Sequence, residues 1–422
     1  MKINYLHRIS DDKLKLLLNS KGAVLIEGPK WCGKTRSAEN AAGSALYMQD
    51  PDRTKENLLL AKTKPSLLLD GETPRLIDEW QVAPELWNAV RFAVDRRNKR
   101  GQFILTGSVV PTKTDDMHTG TGRIARMKMR TMSLYETLDS TGEVSLKALF
   151  DGDLTMEGKS NISIEHMAFL INRGGWPDVA NEVSERIAFT VANDYLEAIA
   201  YEDISKADGV ERNPDRVKGV LRSISRSISC EAKTSTLLND LQANDETMSH
   251  VTIDQYLSAL RAIFVIDDLP AWSAKLRSKA AIRTTSKRHF TDPSIAAASL
   301  RSTPNRLLKD FNTFGLLFES LCIRDLRVYA ESLDGSVYHY RDKSNLEIDA
   351  IVQLADGRWG AVEVKLGAGE IEHAAANLLK LRNLVDTDKI GAPSFLMVLT
   401  GTQYAFPLEN GVWVVPLGCL KH

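Results

Sequence analysis

The sequence is poor in cysteine, and its opposite charges nearly cancel. The four cysteines, Cys32, Cys230, Cys322 and Cys419, lie far apart and form no CxxC pair. This spacing argues against a disulfide framework and against a cysteine-rich zinc site. The 422 residues carry a formal net charge of −1. Overall charge therefore predicts no polyanionic partner, and any basic surface must be local.

Long apolar runs are also absent, since none reaches the roughly 18 residues that a membrane helix needs. The first twenty residues are too polar for a signal peptide, so we expect a cytoplasmic protein with no membrane partner. The composition, 43% hydrophobic and 26% charged, is ordinary for a globular protein with material for more than one core. At roughly 100–200 residues per domain, the length predicts about two to four domains.

The clearest motif is GPKWCGKT, which follows an apolar run and precedes a helix-like stretch. It matches GxxxxGK[ST], a loop whose backbone N–H groups face the phosphates of a bound nucleotide. Lys34 is expected to reach the β- and γ-phosphates of ATP, and Thr35 to offer its hydroxyl to Mg²⁺. The residues predicted to contact the nucleotide here are Gly28, Pro29, Lys30, Trp31, Cys32, Gly33, Lys34, Thr35 and Arg36.

A second apolar strand, in PRLIDEW, ends in two carboxylates. We expect Asp78 to hold Mg²⁺, usually through water, and Glu79 to orient and polarise the attacking water. The next strand, GQFILTGS, should lie beside it in a parallel sheet. Its Thr106 and Ser108 are either sensors of the γ-phosphate or its water, or members of a hydroxyl-rich turn.

The segment HTGTGRIARMKMRTMSLYE contains Arg123, Arg126 and Arg130, and no acid before Glu136. It predicts either a basic surface or an arginine finger. Such a finger acts within the molecule or across the subunits of a homo-oligomer. Arg123 and Arg126 are the stronger candidates for contact with the nucleotide.

The motifs GPKWCGKT, LIDEWQVAPELWNAVR, GQFILTGS and GRIARMKMRTMSLYE together resemble a bacterial and archaeal group of AAA+/STAND-related ATPases. Most members of that group carry a C-terminal domain of unknown function. The resemblance spans nearly the whole chain and implies an ATP-hydrolysing, P-loop parallel-sheet domain over residues 1–140. It also implies that Gly175 and Pro177, in RGGWPDVA, contact the adenine, although a plain turn between helices explains them too. YEDISKADG resembles a family signature whose role the sequence does not explain.

After about residue 140, helical periodicity takes over and predicts a helical lid over residues 141–230. Residues 231–300 follow the order helix, turn, helix and hairpin, which is typical of a winged helix. The stretch between the hairpin strands contains no acid and six basic residues: Lys275, Arg277, Lys279, Arg283, Lys287 and Arg288. This stretch predicts either phosphate contacts with nucleic acid or a solvated basic loop, including one that contacts protein.

The last part of the chain, residues 301–422, has a mixed α/β pattern. WGAVEVKLG is an apolar strand, yet it contains Glu363 and Lys365 on one face. Asp349 lies six residues before a tight ADG turn and Glu363 six residues after it, so a hairpin would bring the two carboxylates close. Glu319 stands among apolar residues of the preceding amphipathic helix.

An acid, a spaced Asp and then Glu-x-Lys resemble the pattern of PD-(D/E)xK nucleases. This resemblance implies a restriction-endonuclease-like domain that cleaves nucleic acid, with Glu319, Asp349, Glu363 and Lys365 as catalytic residues. Asp349 and Glu363 would bind Mg²⁺, and Lys365 would position the attacking water. The alternatives are an inactive nuclease fold in an ATP-switched DNA- or protein-binding regulator, a STAND-like sensor, or a plain Glu363–Lys365 ion pair.

Overall fold

The structure is a computed structural model that describes residues 5–109, 119–153, 155–243, 247–273 and 285–422. It consists of two compact units. The first comprises Met1–Thr131, Asp203–Glu211 and Ala262–Phe264, and the second comprises Met132–Glu202, Arg212–Arg261 and Val265–His422. The finer division at residues 140, 230 and 300 stays a prediction. No helix in the described ranges combines the length and apolarity needed to cross a membrane.

A five-stranded parallel sheet forms the centre of the first unit, in the order β2-β3-β4-β1-β5. Its strands are β1 (Ala23–Glu27), β2 (Ser44–Tyr47), β3 (Arg75–Asp78), β4 (Phe103–Gly107) and β5 (Ile124–Lys128). The helices of this unit are α1 (Ser10–Ser20), α2 (Lys34–Ala41), α3 (Thr54–Thr63) and α4 (Glu85–Arg97). The predicted parallel sheet is therefore confirmed, with β4 beside β3.

Successive side chains of these strands point to opposite faces of the sheet and pack into two separate hydrophobic cores. Leu25 and Phe103 pack with Trp87 of α4 on one face, whereas Val24 and Ile104 pack on the other face with α1 and α2. Because both faces are covered, β1 and β4 are nearly continuous apolar runs, as parallel strands usually are. The carboxyl ends of β1, β3 and β4 lie at one edge of the sheet, which is where ligands bind in such folds.

Eleven helices of the described residues belong to the second unit. They are α5 (Leu146–Phe150), α6 (Ile164–Arg173), α7 (Glu185–Ala198), α8 (Pro214–Arg226), α9 (Thr234–Gln242), α10 (His250–Ala262), α11 (Pro293–Ser299), α12 (Pro304–Leu307), α13 (Phe311–Ser332), α14 (Ile371–Leu384) and α15 (Thr387–Ile390). Polar residues cap several of them; for example, the side chains of Ser163 and Asn213 accept hydrogen bonds from backbone N–H groups in the first turns of α6 and α8.

Past α10 the chain forms antiparallel bridges at Ile266–Phe290 and Leu269–Lys287. The order of elements agrees with the predicted one, while the winged-helix assignment stays a prediction. Of the predicted basic stretch, Lys275, Arg277, Lys279 and Arg283 lie outside the described residues. Lys287 and Arg288 are buried, being only 1% and 7% exposed. Placing these two in a solvated basic wing was therefore wrong.

A mixed seven-stranded sheet follows, in the order β7-β12-β13-β11-β10-β9-β8. Its strands are β7 (Gly158–Lys159), β8 (Gly335–Arg341), β9 (Glu347–Leu354), β10 (Trp359–Lys365), β11 (Leu396–Thr400), β12 (Tyr404–Pro407) and β13 (Trp413–Pro416). A separate parallel pair joins β6 (Val144–Ser145) and β14 (Leu420–Lys421). Strands β9 and β10 are antiparallel, which confirms the predicted hairpin. Helix α13 packs against β8 and β9.

Candidate functional site

The GPKWCGKT loop connects β1 to α2 in the conformation that its glycines permit. Gly33 has a φ of 99° and directly precedes the helix, a conformation that residues with a Cβ rarely adopt. A Cβ on Gly28 would lie 2.2 Å from the carbonyl oxygen of Met129. The Lys34 ammonium is buried and donates to the carbonyl oxygens of Gly28, at 3.0 Å, and Pro29, at 2.7 Å. The lysine side chain thus hydrogen-bonds to the backbone of its own loop.

Two hydroxyls converge on the carboxylate that ends β3. Thr35 donates to Asp78 Oδ1 at 2.8 Å, and Thr106 donates to the same oxygen at 2.6 Å. A hydroxyl and a carboxylate beside a phosphate-binding loop are the oxygen donors that Mg²⁺ prefers. Thr35 and Asp78 therefore fit the predicted magnesium site.

Glu79 follows Asp78 in a left-handed conformation, with a φ of 55°. Its Oε1 accepts a hydrogen bond from Ser108 Oγ at 3.1 Å, and its other oxygen accepts one from the amide of Gln81. These two donors fix the direction of the carboxylate. Ser108 thus contacts the candidate base, while Thr106 contacts Asp78.

A contact that the sequence did not predict involves YEDISKADG. Asp203 belongs to the first unit, and its carboxylate pairs with Lys30 of the GPKWCGKT loop at 2.5 Å. Lys206 approaches the same oxygen at 3.3 Å. The Asp203 side chain is only 8% exposed. The signature-like motif therefore contributes a carboxylate that anchors the nucleotide loop, although its spacing in sequence gave no sign of the contact.

The predicted arginines are paired with acids of their own unit. Arg123 Nε lies 2.8 Å from Asp95 Oδ1, and an Arg126 guanidinium nitrogen lies 2.6 Å from Glu27 Oε1. Arg36 pairs with an acid one turn later in α2. A role in nucleotide contact stays a prediction for all three.

Pro177 lies in the second unit and begins a 3-10 turn, Pro177–Val179. The preceding Gly175 donates its N–H to Asp292 at 3.0 Å, and a Cβ on it would lie 2.0 Å from the Met132 carbonyl oxygen. These contacts account for the Gly-x-Pro turn as a packed connection. Contact with adenine stays a prediction.

Three of the four predicted nuclease residues line one cavity of about 640 Å³ in the second unit: Glu319, Asp349 and Lys365. In the β9–β10 pair, Ala350 lies opposite Val362. One residue further along the same register, Asp349 lies opposite Glu363. Asp349 Oδ2 accepts the N–H of Val364 at 2.9 Å.

Lys287, which the sequence pattern placed in the basic stretch, instead contacts the cluster of acidic residues that includes Glu319, Asp349 and Glu363. Its ammonium lies 2.9 Å from Glu319 Oε1, 2.9 Å from Glu347 Oε1 and 3.1 Å from Asp349 Oδ1. Lys365 lies further from its nearest carboxylate, at 3.5 Å from Glu363 Oε2. The cluster thus has a buried cation of its own.

The electrostatics of the cluster follow from its burial. Burial raises the pKa of Glu319 to about 8. Burial and the neighbouring Asp349 raise the pKa of Glu363 to about 9. Burial opposes ionisation of Asp349, but the ammonium groups of Lys287 and Lys365 outweigh it and lower its pKa. At neutral pH the cluster therefore holds protonated Glu319 and Glu363 beside ionised Asp349.

This arrangement does not fit a divalent cation as it stands. Among the residues that the structure describes, no group of three histidine, cysteine or acidic side chains is placed to hold a metal. Lys287 occupies the space between Glu319 and Asp349 at hydrogen-bond distance. The assignment of Asp349 and Glu363 as magnesium ligands therefore stays a prediction that the arrangement does not favour.

Comparison with known families agrees with the geometry of the first unit. Residues 20–138 match the model of an AAA domain. Residues 164–306 and 314–420 match models of two domains of unknown function, DUF8612 and DUF4143. No curated protein matches the chain. The loop, the strand order and the AAA match together define an AAA-type ATPase domain. This confirms the AAA-like part of the predicted resemblance, while the relation to STAND proteins stays a prediction.

Two solved structures show weaker similarity. The Walker-type ATPase paby2304 of Pyrococcus abyssi shares 13% identity, with a TM-score of 0.44, and the match covers 70% of this chain and 96% of that one. C. elegans PCH-2 shares 13% identity, with a TM-score of 0.19, over 60% of this chain and 65% of that one.

Proposed function

We propose that this protein is an ATP hydrolase whose nucleotide cycle controls the engagement of nucleic acid by its second unit. The convergence of Thr35 and Thr106 on Asp78, with Glu79 held beside them, carries the first part of this proposal. The AAA match over residues 20–138 supports ATP binding and hydrolysis by the same residues.

The chain's own groups divide the reaction among them. Lys34 exchanges the carbonyl oxygens of its loop for the β- and γ-phosphates of ATP. Thr35 and Asp78 would hold Mg²⁺, which would supply positive charge beside the phosphates. Glu79 accepts a proton from the attacking water, and Ser108 keeps that carboxylate oriented.

Engagement of nucleic acid rests on the second unit. Its cavity of about 640 Å³ exposes Lys365 together with the backbone of Gly367 and Gly369. Four basic residues of the acid-free stretch, Lys275, Arg277, Lys279 and Arg283, add local positive charge in the sequence. Lysine and arginine contact phosphates without reading bases, so we expect binding with little sequence specificity.

ATP turnover and nucleic-acid affinity test the two parts separately. Wild-type protein should hydrolyse ATP with Mg²⁺, and Lys34→Ala should reduce turnover to background. Affinity for single- and double-stranded DNA and RNA should change at least threefold between the nucleotide-free and ATP-bound states. Absence of turnover rejects the ATPase. Turnover without nucleic-acid binding in any state rejects the second part and favours an ATP-switched regulator that binds protein.

Metal-dependent cleavage of nucleic acid is the second candidate function, because Glu319, Asp349 and Lys365 line one cavity. It requires Lys287 to give up the oxygens of Glu319 and Asp349 that it contacts. Its test is incubation of the purified chain with ATP, Mg²⁺ or Mn²⁺, and DNA or RNA of either strandedness. Cleavage that is lost in Asp349→Asn would support it. Intact substrates under all these conditions would reject it.

A further inference from the structure

We propose that Lys287 takes the place of a divalent cation in the C-terminal carboxylate cluster, so that the cluster is neutralised by the protein itself. The ammonium bridges Glu319 of α13 and Asp349 of β9, two of the four positions of the nuclease-like pattern, and Asp349 is one of its two predicted metal ligands. This inference does not depend on ATP hydrolysis or on nucleic-acid binding.

The hydrogen-bonding capacity of Lys287 is fully used. A lysine ammonium has three N–H donors and no acceptor. Three acidic side chains, those of Glu319, Glu347 and Asp349, each place an oxygen within 3.1 Å of the nitrogen. Buried lysines are rare unless they are paired. The side chain is 2% exposed, so these contacts explain how it is buried with its charge.

The distances are those of hydrogen bonds, and they are longer than those of a metal to its oxygen ligands. Mg²⁺ and Ca²⁺ bind oxygen at about 2.0–2.6 Å. The Lys287 ammonium already occupies the bridging position between Glu319 Oε1 and Asp349 Oδ1, so a cation that takes this position must displace it. The repulsion between two such charges in a buried site excludes simultaneous occupancy.

The backbone holds Lys287 in place. Its N–H donates to the Leu269 carbonyl oxygen at 3.0 Å, and its carbonyl oxygen accepts the Leu269 N–H at 2.9 Å. The next residue, Arg288, donates its N–H to the Cys230 carbonyl oxygen at 2.9 Å and pairs with Asp268. A metal can take the bridging position only if this strand pairing breaks or if the lysine side chain moves away from the two oxygens.

Titration of the nucleotide-free full chain with Mn²⁺, followed by electron paramagnetic resonance, tests the proposal. Lys287→Met should bind one more Mn²⁺ per chain than the wild type, and the added substitution Asp349→Asn should remove that site. Lys365→Met is the matched control and should leave the Mn²⁺ stoichiometry at the wild-type value. The proposal is overturned if Asp349→Asn in the wild-type background removes a Mn²⁺, or if folded Lys287→Met gains none.

A second measurement uses the wild-type chain and does not require the Lys287→Met variant to fold. The chain is treated with an amine-reactive label, with and without Mn²⁺, and labelled lysines are mapped by mass spectrometry. Lys287 should stay unlabelled under both conditions, while the exposed Lys343 reacts. Mn²⁺-dependent labelling of Lys287 would show that a metal displaces it, and would overturn the proposal.

Discussion

Glu79→Gln is the substitution that tests the ATPase assignment most directly. The amide has nearly the shape of the carboxylate, and its oxygen can still accept the hydrogen bond from Ser108, which spans 3.1 Å. Its nitrogen can donate to Gln81 once the Gln81 amide turns over to present its oxygen. The amide at position 79 cannot accept a proton from water at neutral pH. Gln and Glu also tolerate the left-handed φ of 55° equally well, because they share their backbone and Cβ. The change therefore removes the base and preserves the loop.

The expected effect is a loss of hydrolysis with binding retained. A positioned general base contributes about 10²–10⁴-fold to a rate, or roughly 3–5 kcal/mol of activation free energy. We expect single-turnover hydrolysis of ATP with Mg²⁺ to slow by at least about 100-fold. The Kd for ATP should stay within about threefold of the wild type, because Lys34, Thr35 and Asp78 are unchanged.

The control is Glu56→Gln, which makes the same chemical change at an exposed position of α3. It should leave both the rate and the Kd unchanged. A Glu79→Gln variant that keeps more than a tenth of the wild-type rate would refute the assignment of the base. Equal losses of binding and hydrolysis would also refute it, since they would make Glu79 a residue of loop structure.

Three further predictions follow from buried or partly buried charges. Asp203→Asn removes the ion pair with Lys30, and a partly exposed pair of this kind is worth about 1 kcal/mol. Nucleotide titration should therefore show ATP binding about fivefold weaker than in the wild type. An unchanged Kd for ATP would contradict this. Arg324→Leu removes the guanidinium that pairs with the buried carboxylates of Asp292, at 3.1 Å, and Asp325, at 2.7 Å. Urea unfolding should show a loss of about 3–5 kcal/mol, and a loss below about 1 kcal/mol would contradict this. Burial raises the pKa of Glu363 from 4.5 to about 9, so the folded state keeps a proton that the unfolded chain releases. The contribution of this proton to the free energy of unfolding is full below about pH 4.5 and is lost as pH rises towards 9. Glu363→Gln should therefore reduce the fall in unfolding free energy between pH 6 and 8 by about 1.4 kcal/mol per pH unit, and equal slopes for variant and wild type would contradict this.

The candidate ATP site at the edge of the first sheet could be predicted because each of its motifs is contiguous in sequence and the motifs occur in a fixed order. GPKWCGKT forces a turn between a strand and a helix, and Asp78 ends the next buried strand of apolar residues. Parallel pairing then places these ends at one edge of the sheet. The β9–β10 hairpin was predictable for a similar reason, since a short turn fixes which residues face each other.

Contacts between distant segments could not be predicted in this way. Asp203 lies 173 residues after Lys30, and nothing in YEDISKADG indicates that its acid anchors a loop so far away in sequence. Lys287 stands in a run of basic residues, which in a single sequence is the usual sign of a solvated surface. Its burial depends on the strand pair with Leu269, which places it beside carboxylates from α13 and β9.

The difference between a metal site and an internal ion pair depends on one such distant contact. Glu319, Asp349 and Glu363 have the same spacing in either case, because both require carboxylates to converge at the end of a hairpin. Lys365, the lysine of the pattern, is 24% exposed and lies 3.5 Å from Glu363, whereas Lys287 comes from 62 residues before Asp349 and is buried against it. The charge of the cluster is therefore set by a segment outside the motif. A sequence pattern that omits this segment predicts the carboxylates correctly but leaves the cation that they bind undetermined.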